Sequence, residues 1–230
     1  MELLNFITQN ASHIKSLVLL QNLRLRRRFL SENLIGLQIG SQRNKLENWL
    51  NTDINTIFND GIFYLDATKK FPFGNDTFGF VYSEHVIEHL NYEEGFSMIS
   101  ESYRVLKPGG VIRIATPNLN FLINLILNPV VNLNMLYIEK FYSTKTKKSI
   151  YPNFNNPVPV LNNFVRDWGH KFIYDSITLK ELLLKVGFTK IVNGSVGESE
   201  HSILCNLESH GNLIGDTENR LETMVIEASK

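Results

Sequence analysis

Four apolar segments between Leu37 and Gly110 each end in a residue able to hold a polar ligand. Leu37-Gln38-Ile39 runs into Gly40 and Ser41, where a glycine lets backbone approach a ligand closely. Trp49 to Ile54 carries Asp53 near its end, and a carboxylate there can accept from two neighbouring hydroxyls. Phe63-Tyr64-Leu65 is followed by Asp66 and Ala67, and Phe78 to Tyr82 leads into Ser83, Glu84 and His85. Acids at successive strand ends suit a nucleoside, and a histidine beside them suits proton transfer near neutral pH.

Such residues meet only if a sheet brings the strand ends together. In an open parallel sheet, ligands bind at the carboxyl ends of the strands, where the strand order reverses. Leu106-Lys107-Pro108-Gly109-Gly110 turns the chain into a fifth strand, Val111 to Ala115, which Pro117 stops. Before it, Asn91 and Glu94 can form a capping box for a helix whose Phe96, Ile99, Tyr103 and Leu106 recur at helical spacing. The stretch between Gly40 and Trp49 is shorter than the dozen or more residues of an ordinary parallel crossover, so a turn or a single helical turn is expected there. Asp53 also follows Gly40 sooner than the ~20 residues of a dinucleotide-binding fold, which argues against a nicotinamide enzyme.

Further along, residues 118–167 read as an insertion of mixed structure, rich in aromatics, Asn and Pro, that caps the crevice. Thr178 and Glu181 are placed to cap another helix, which Gly187 ends. Phe188 to Val196 and Glu222 to Ala228 read as two closing strands joined by a polar loop. That loop concentrates acids and histidines: Glu198, Glu200 and His201, then Glu208 and His210. At the other end, Ser12 to Ser31 forms an amphipathic pattern with Ile14, Leu17, Val18 and Leu20 apolar and Arg24 to Arg28 near its C-terminal end. A helix packed on the domain with a solvated basic tail is the expectation, with docking to an anionic membrane surface as the alternative.

Read in order, Gly40, Asn51-Thr52-Asp53-Ile54, Leu65-Asp66-Ala67, Ser83-Glu84-His85-Val86-Ile87-Glu88-His89-Leu90, Val105 to Gly110, Trp168 to Phe172 and Gly187-Phe188 resemble a known family. The pattern is similar to that of class I S-adenosylmethionine-dependent methyltransferases, of the small type often found with polysaccharide biosynthesis genes. It covers the chain from about Gly36 onward. The resemblance implies an α/β, Rossmann-like fold over residues 1–230. Its seven-stranded, mostly parallel sheet has the last strand antiparallel beside the fifth, with helices on both faces. It implies S-adenosylmethionine as cofactor, held by Gly40, Ser41, Gln42, Asp53, Ile54, Asp66, Ala67, Ser83, Glu84 and His85. Asp53 would hold the ribose hydroxyls, Asp66 the adenine amine, and Ile54 the ring face. Gln42 departs from the pattern, standing where a glycine is usual.

Methyl transfer to an alcohol needs the acceptor held in line and its proton removed. His85 and His170 are the candidate bases, with Asp167 a candidate partner. Arg166, Trp168, Lys171, Glu198 and His201 are the candidate acceptor contacts, and a saccharide or other small metabolite is the acceptor that the resemblance implies. His85 to His89 also fits the H-x-x-E-H spacing of a zinc peptidase. It starts at a strand's end and no third ligand is evident, so no metal is assigned.

Composition bounds the partners. Lysines and arginines equal aspartates and glutamates at 23 each, so no overall basic charge steers the chain toward nucleic acid. The single cysteine, Cys205, cannot form an internal disulfide, which fits a reducing cytoplasm. No run of ~20 uninterrupted apolar residues offers a membrane span, and no signal-peptide pattern opens the chain. Two alternatives remain: a cofactor-binding domain that does not transfer methyl, because of Gln42, and a methyltransferase for a lipid-linked acceptor.

Overall fold

The computed structural model describes residues 34–56, 61–145 and 156–230. The expected helix over 12–31 and the arginines at 24–28 lie outside the described residues. Seven strands form one sheet: β1 Gly36–Ile39, β2 Trp49–Asp53, β3 Phe63–Tyr64, β4 Phe78–Glu84, β5 Leu106–Pro117, β6 Thr189–Gly194 and β7 Thr223–Ser229. Their order is β3-β2-β1-β4-β5-β7-β6. All pairs from β3 to β5 are parallel, and β7 lies antiparallel between β5 and β6. This is the expected Rossmann-like sheet, and its order reverses between β1 and β4.

Alternation along the strands gives the sheet two unlike faces. Leu37 and Ile39 of β1, Val81 of β4, Ile112 and Ile114 of β5 and Ile226 and Ala228 of β7 share one apolar core. Helix α1, Tyr92–Val105, and helix α5, Ser176–Val186, close it with Met98, Ile99, Val105, Leu179, Leu182 and Leu183. The residues between these, Gln38, Tyr82, Arg113 and Glu227, point the other way and are buried too. On that face, among the described residues, the cover is the segment after β6, with Leu204 packing on Trp49, Tyr82 and Val111.

Local signals set the helix ends. Asn91 and Glu94 make the expected capping box on α1, each accepting the other's backbone N–H at 2.9 Å. Helix α5 starts earlier than expected. Its cap is Asp175, which accepts from the Thr178 N–H at 2.8 Å, rather than Thr178 itself. A carboxylate at that position satisfies a free N–H and meets the positive end of the helix dipole. Gly187 ends the helix at φ +116°, as its place in the sequence predicts.

The first crossover contains no helix, only turns at residues 42–43 and 47–48. Where mixed structure was expected, helix is the only regular structure among the described residues of the insertion after β5. The insertion comprises α2 Leu119–Leu127, α3 Asn132–Lys145 and α4 Val158–Arg166, closed around Phe121, Leu122, Ile138, Val160 and Phe164. No single helix among the described residues is long and apolar enough to cross a membrane. Two short helices, α6 Gly211–Ile214 and α7 Asp216–Glu222, precede β7.

Candidate active site

A cavity of about 710 Å3 opens where the carboxyl ends of β1, β2 and β4 converge. That volume lies within the ~300–1,000 Å3 range of small-molecule sites. Its wall includes Gly40, Ser41, Gln42, Asp53, Glu84 and His85, six of the residues expected to hold a cofactor. Gly40 has φ +72°, and a side chain there would put its Cβ 2.1 Å from Val86 Cγ2. Only glycine lets the β1 turn pass this close to the start of the next segment.

Asp53 is nearly buried and already oriented: Oδ2 accepts from Gln42 N and Oδ1 from Asn55 N, both at 2.8 Å. Each carboxylate oxygen has a second lone pair, so two hydroxyls can still be received. Gln38 Oε1 and Ser41 Oγ are buried in the same wall with no hydrogen-bond partner. Orphaned polar atoms in a cavity wall call for a polar ligand. This donor and acceptor set fits a nucleoside with an amino-acid tail.

Gln42 lines the cavity without closing it. Its φ is +46°, so the backbone here takes the conformation that glycine adopts freely. Gln42→Gly is therefore expected to raise stability by about 0.5–1 kcal/mol, the strain relieved less the entropy gained by the unfolded chain. In a chain of this size that is about 2 °C in Tm. A thermal melt with no gain would show the left-handed turn to be unstrained in this sequence.

Other expected contacts fall elsewhere. Ile54 is 64% exposed and does not line the cavity. Asp66 Oδ1 accepts from both the Thr68 N–H and its hydroxyl, closing a turn, and Ala67 belongs to the apolar core. Ser83 is fully buried at the end of β4. Trp168 packs its ring edge against Phe164 and His170, and Lys171 pairs with Glu94 at 2.9 Å. Arg166 ends α4, exposed. Glu198 offers its carbonyl to Arg113, while His201 lies against Phe80, on the sheet face opposite α1 and α5.

The loop before β7 reaches the cavity later than expected, through Ser209, His210, Asn212 and Leu213. Glu84 holds it there. Its carboxylate accepts from Ser209 N at 2.8 Å, Ser209 Oγ at 3.0 Å and His210 N at 2.9 Å. The His210 ring consequently lies on His85, with centroids 4.0 Å apart. Chain separation hid this contact, although the density of acids and histidines after Gly197 marked the segment.

His85 sits at φ +50°, an uncommon conformation for a side-chain-bearing residue. Its Nδ1 donates to Glu88 Oε1 at 2.9 Å, and Thr116 Oγ1 donates to Glu88 Oε2 at 3.1 Å. Burial alone would lower the proton affinity of His85, but the Glu88 hydrogen bond and charge outweigh it, leaving the pKa above the ordinary histidine value. Burial lowers that of His170, whose Nδ1 bonds to Phe164 O at 2.6 Å. His170 packs on His89 and does not line the cavity. Glu88, His89 and His170 bring ligand atoms within 4.8 Å of one another. Both Glu88 oxygens are engaged by His85 and Thr116, so this cluster reads as a hydrogen-bonded support for His85.

Residues 25–114 match the family described as methyltransferase domain. No curated protein matches the chain. Among solved structures, a SAM-dependent methyltransferase from Archaeoglobus fulgidus is similar at 22% identity and TM-score 0.50, over 93% of this chain and 94% of that one. An S-adenosylmethionine-dependent methyltransferase from Mesorhizobium loti is similar at 14% identity and TM-score 0.49, over 86% and 92%. At this identity the Archaeoglobus fulgidus likeness fixes the fold alone.

Proposed function

We propose, from the premise that this chain is a class I S-adenosylmethionine-dependent methyltransferase, that it methylates a hydroxyl of a saccharide or other small polar metabolite. When bound, the cofactor supplies a methyl group on a sulfonium, which leaves as a neutral thioether. Asp53 and the Gly40 turn bind the nucleoside, and the unpartnered Gln38 and Ser41 atoms receive its polar groups. The observation that carries the hydroxyl reading is His85 on the cavity wall, backed by the buried Glu88 and with His210 stacked on it. An alcohol must lose a proton as its oxygen is methylated, and an imidazole held by a carboxylate is suited to receive it. The polar wall of Gln42, Asn44, Asn55 and Asn212 supports a hydroxylated ligand over an apolar one.

The test is transfer of labelled methyl from S-adenosylmethionine to a panel of nucleotide sugars, glycans and amines. Methyl ethers formed with equal S-adenosylhomocysteine are expected. Methylation of amines alone would overturn the hydroxyl assignment.

A second reading, a lipid-linked saccharide, draws support from the exposed apolar tip of the cap. Leu127 is 71% and Val130 80% exposed, and Leu213 on the cavity wall is 78% exposed. Preference for a prenyl-linked over a free sugar acceptor would decide for it.

A further inference from the structure

The cap carries apolar surface that its own core does not use. Between Arg113 and Glu139 no residue is charged. Helices α2 and α3 turn one face of this stretch to the cap core, through Phe121, Leu122, Leu125, Tyr137 and Ile138. The outer face is aliphatic as well. Ile123 and Leu127 on α2, Leu133 and Leu136 on α3, and Val130 and Val131 in the turn between them are all exposed, from 45% at Ile123 to 80% at Val130. The four-residue and three-residue spacings put each helical pair on one side of its helix. A helix that meets water carries a polar outer side. From Ile123 to Leu136 the exposed polar residues are Asn124, Asn128 and Asn132, none of them charged. Single exposed aliphatic residues are ordinary, whereas a clustered set marks a surface that meets something other than water.

Three features say what it meets. Residues that anchor protein partners are mostly Trp, Tyr and Arg, with Leu and Val scarce, and residues 123–136 contain none of the three. By length and composition α2 and α3 together match a membrane segment, yet they are bent by 101° at the turn between them. Leu127 and Val130 are the most exposed of the set, so the aliphatic residues form a projecting corner rather than a flat face for a second copy. Finally, polar groups at the turn are satisfied from within. Asn128 N donates to Asn124 O at 2.9 Å and Val131 N to Asn128 O at 3.2 Å, while Pro129 brings no N–H. Asn134, itself buried, donates from Nδ2 to Asn128 O at 2.8 Å and to Asn124 O at 3.3 Å. Backbone paired in this way can leave water, which entry among lipid chains requires.

We propose that this corner of the cap is an interfacial membrane anchor. Leu127, Val130 and Val131 enter the boundary between headgroups and acyl chains, and Leu133 and Leu136 lie along it, within one leaflet and without a span. The anchor is fastened to the elements around the cavity. Lys140 of α3 pairs with Glu218 at 2.6 Å, and the Tyr137 hydroxyl donates to Glu222, both on α7. Leu213, in the short helix before α7, lines the cavity and is 78% exposed, which places a further aliphatic side chain at the mouth. The inference goes beyond the methyl-transfer reading and holds whichever acceptor the cavity takes.

Flotation of the purified chain with lipid vesicles tests this without any acceptor. Wild type is expected to bind vesicles of phosphatidylcholine alone and to stay bound in high salt, because apolar burial drives the contact. Leu127→Asn combined with Val130→Asn is expected to weaken binding by at least about tenfold. The same double variant should melt within about 2 °C of wild type, as polar substitutions on a free surface do. In Val130→Trp, lipids brominated on their chains should quench tryptophan emission beyond the wild-type level. A wild-type chain that does not float overturns the proposal, as does a double variant that floats equally well. Binding only to vesicles containing phosphatidylglycerol, lost in salt, overturns it in favour of docking by charge, for which Arg24 to Arg28 are the candidates. A double variant that melts far below wild type would show the face covered by another part of this chain. A wild-type dimer broken by the same substitutions would show it covered by a second copy. Either result overturns the anchor, and the methyl-transfer reading stands or falls on its own assay.

Discussion

Asp53→Ala is expected to weaken S-adenosylmethionine and S-adenosylhomocysteine binding about a hundredfold, the largest single loss of affinity in the cavity. Hydrogen bonds to a charged acceptor contribute about 1.5–3 kcal/mol each, and two ribose hydroxyls can use this carboxylate. The structure adds a second cost. Gln42 N and Asn55 N both donate to Asp53, so alanine also frees the turns that shape the cavity. Asp53→Asn separates the two effects. It keeps the size and one acceptor oxygen while presenting an NH2 to the other side, and should lose about tenfold. Calorimetry with both ligands reads the series. Equal affinity in wild type and Asp53→Ala would mean that the nucleoside lies elsewhere along the sheet edge.

The places of Asp53 and Gly40 on the cavity wall were legible in the sequence because their signals are local. An acid at a strand's end and a glycine at a tight turn announce themselves over a few residues, as do Asn91 and Glu94 in their capping box. The place of the last strand beside the fifth followed from the resemblance, and β7, antiparallel between β5 and β6, agrees with it. Thr178 was a weaker case, since Asp175 offers an equivalent cap three residues earlier and a charged one. The all-helical character of α2 to α4 was masked by Asn and aromatic residues with poor helix propensity, which packing around Phe121, Ile138 and Phe164 overrides.

The histidine side of the cavity was the least legible because it is built from pairs far apart in the chain. Glu84 reads as a cofactor contact from its place at the end of β4, yet its carboxylate is engaged by Ser209 and His210 across 125 and 126 positions. Tyr137 reaches Glu222 across 85. No spacing rule connects such residues. What the sequence did carry was composition, in the acids and histidines that crowd the segment after Gly197.

Arg113→Met is expected to cost about 3–5 kcal/mol of stability, a large share of the ~5–15 kcal/mol that holds a domain together. Arg113 is fully buried in β5, on the polar face of the sheet. Its guanidinium donates from Nε to Glu208 Oε1 at 2.6 Å, from Nη1 to Glu227 Oε1 at 2.5 Å and Glu198 O at 2.8 Å, and from Nη2 to Ser195 O at 3.0 Å. Methionine fills the space but strands two carboxylates without their cation, and lysine cannot reproduce the four-way fork. Urea unfolding should show the midpoint fall with little change in slope. Adding Glu208→Gln and Glu227→Gln to Arg113→Met should restore part of the loss, since no buried charge is then left unpaired. The same network has a consequence at the cavity. Glu208 immediately precedes Ser209 and His210, so the arginine on the sheet fixes where the histidine ring lands on His85. Arg113→Met is therefore expected to lower methyl transfer even at temperatures where the chain stays folded. A loss below about 1 kcal/mol would show that water replaces the arginine and that Glu84 alone suffices to place His210.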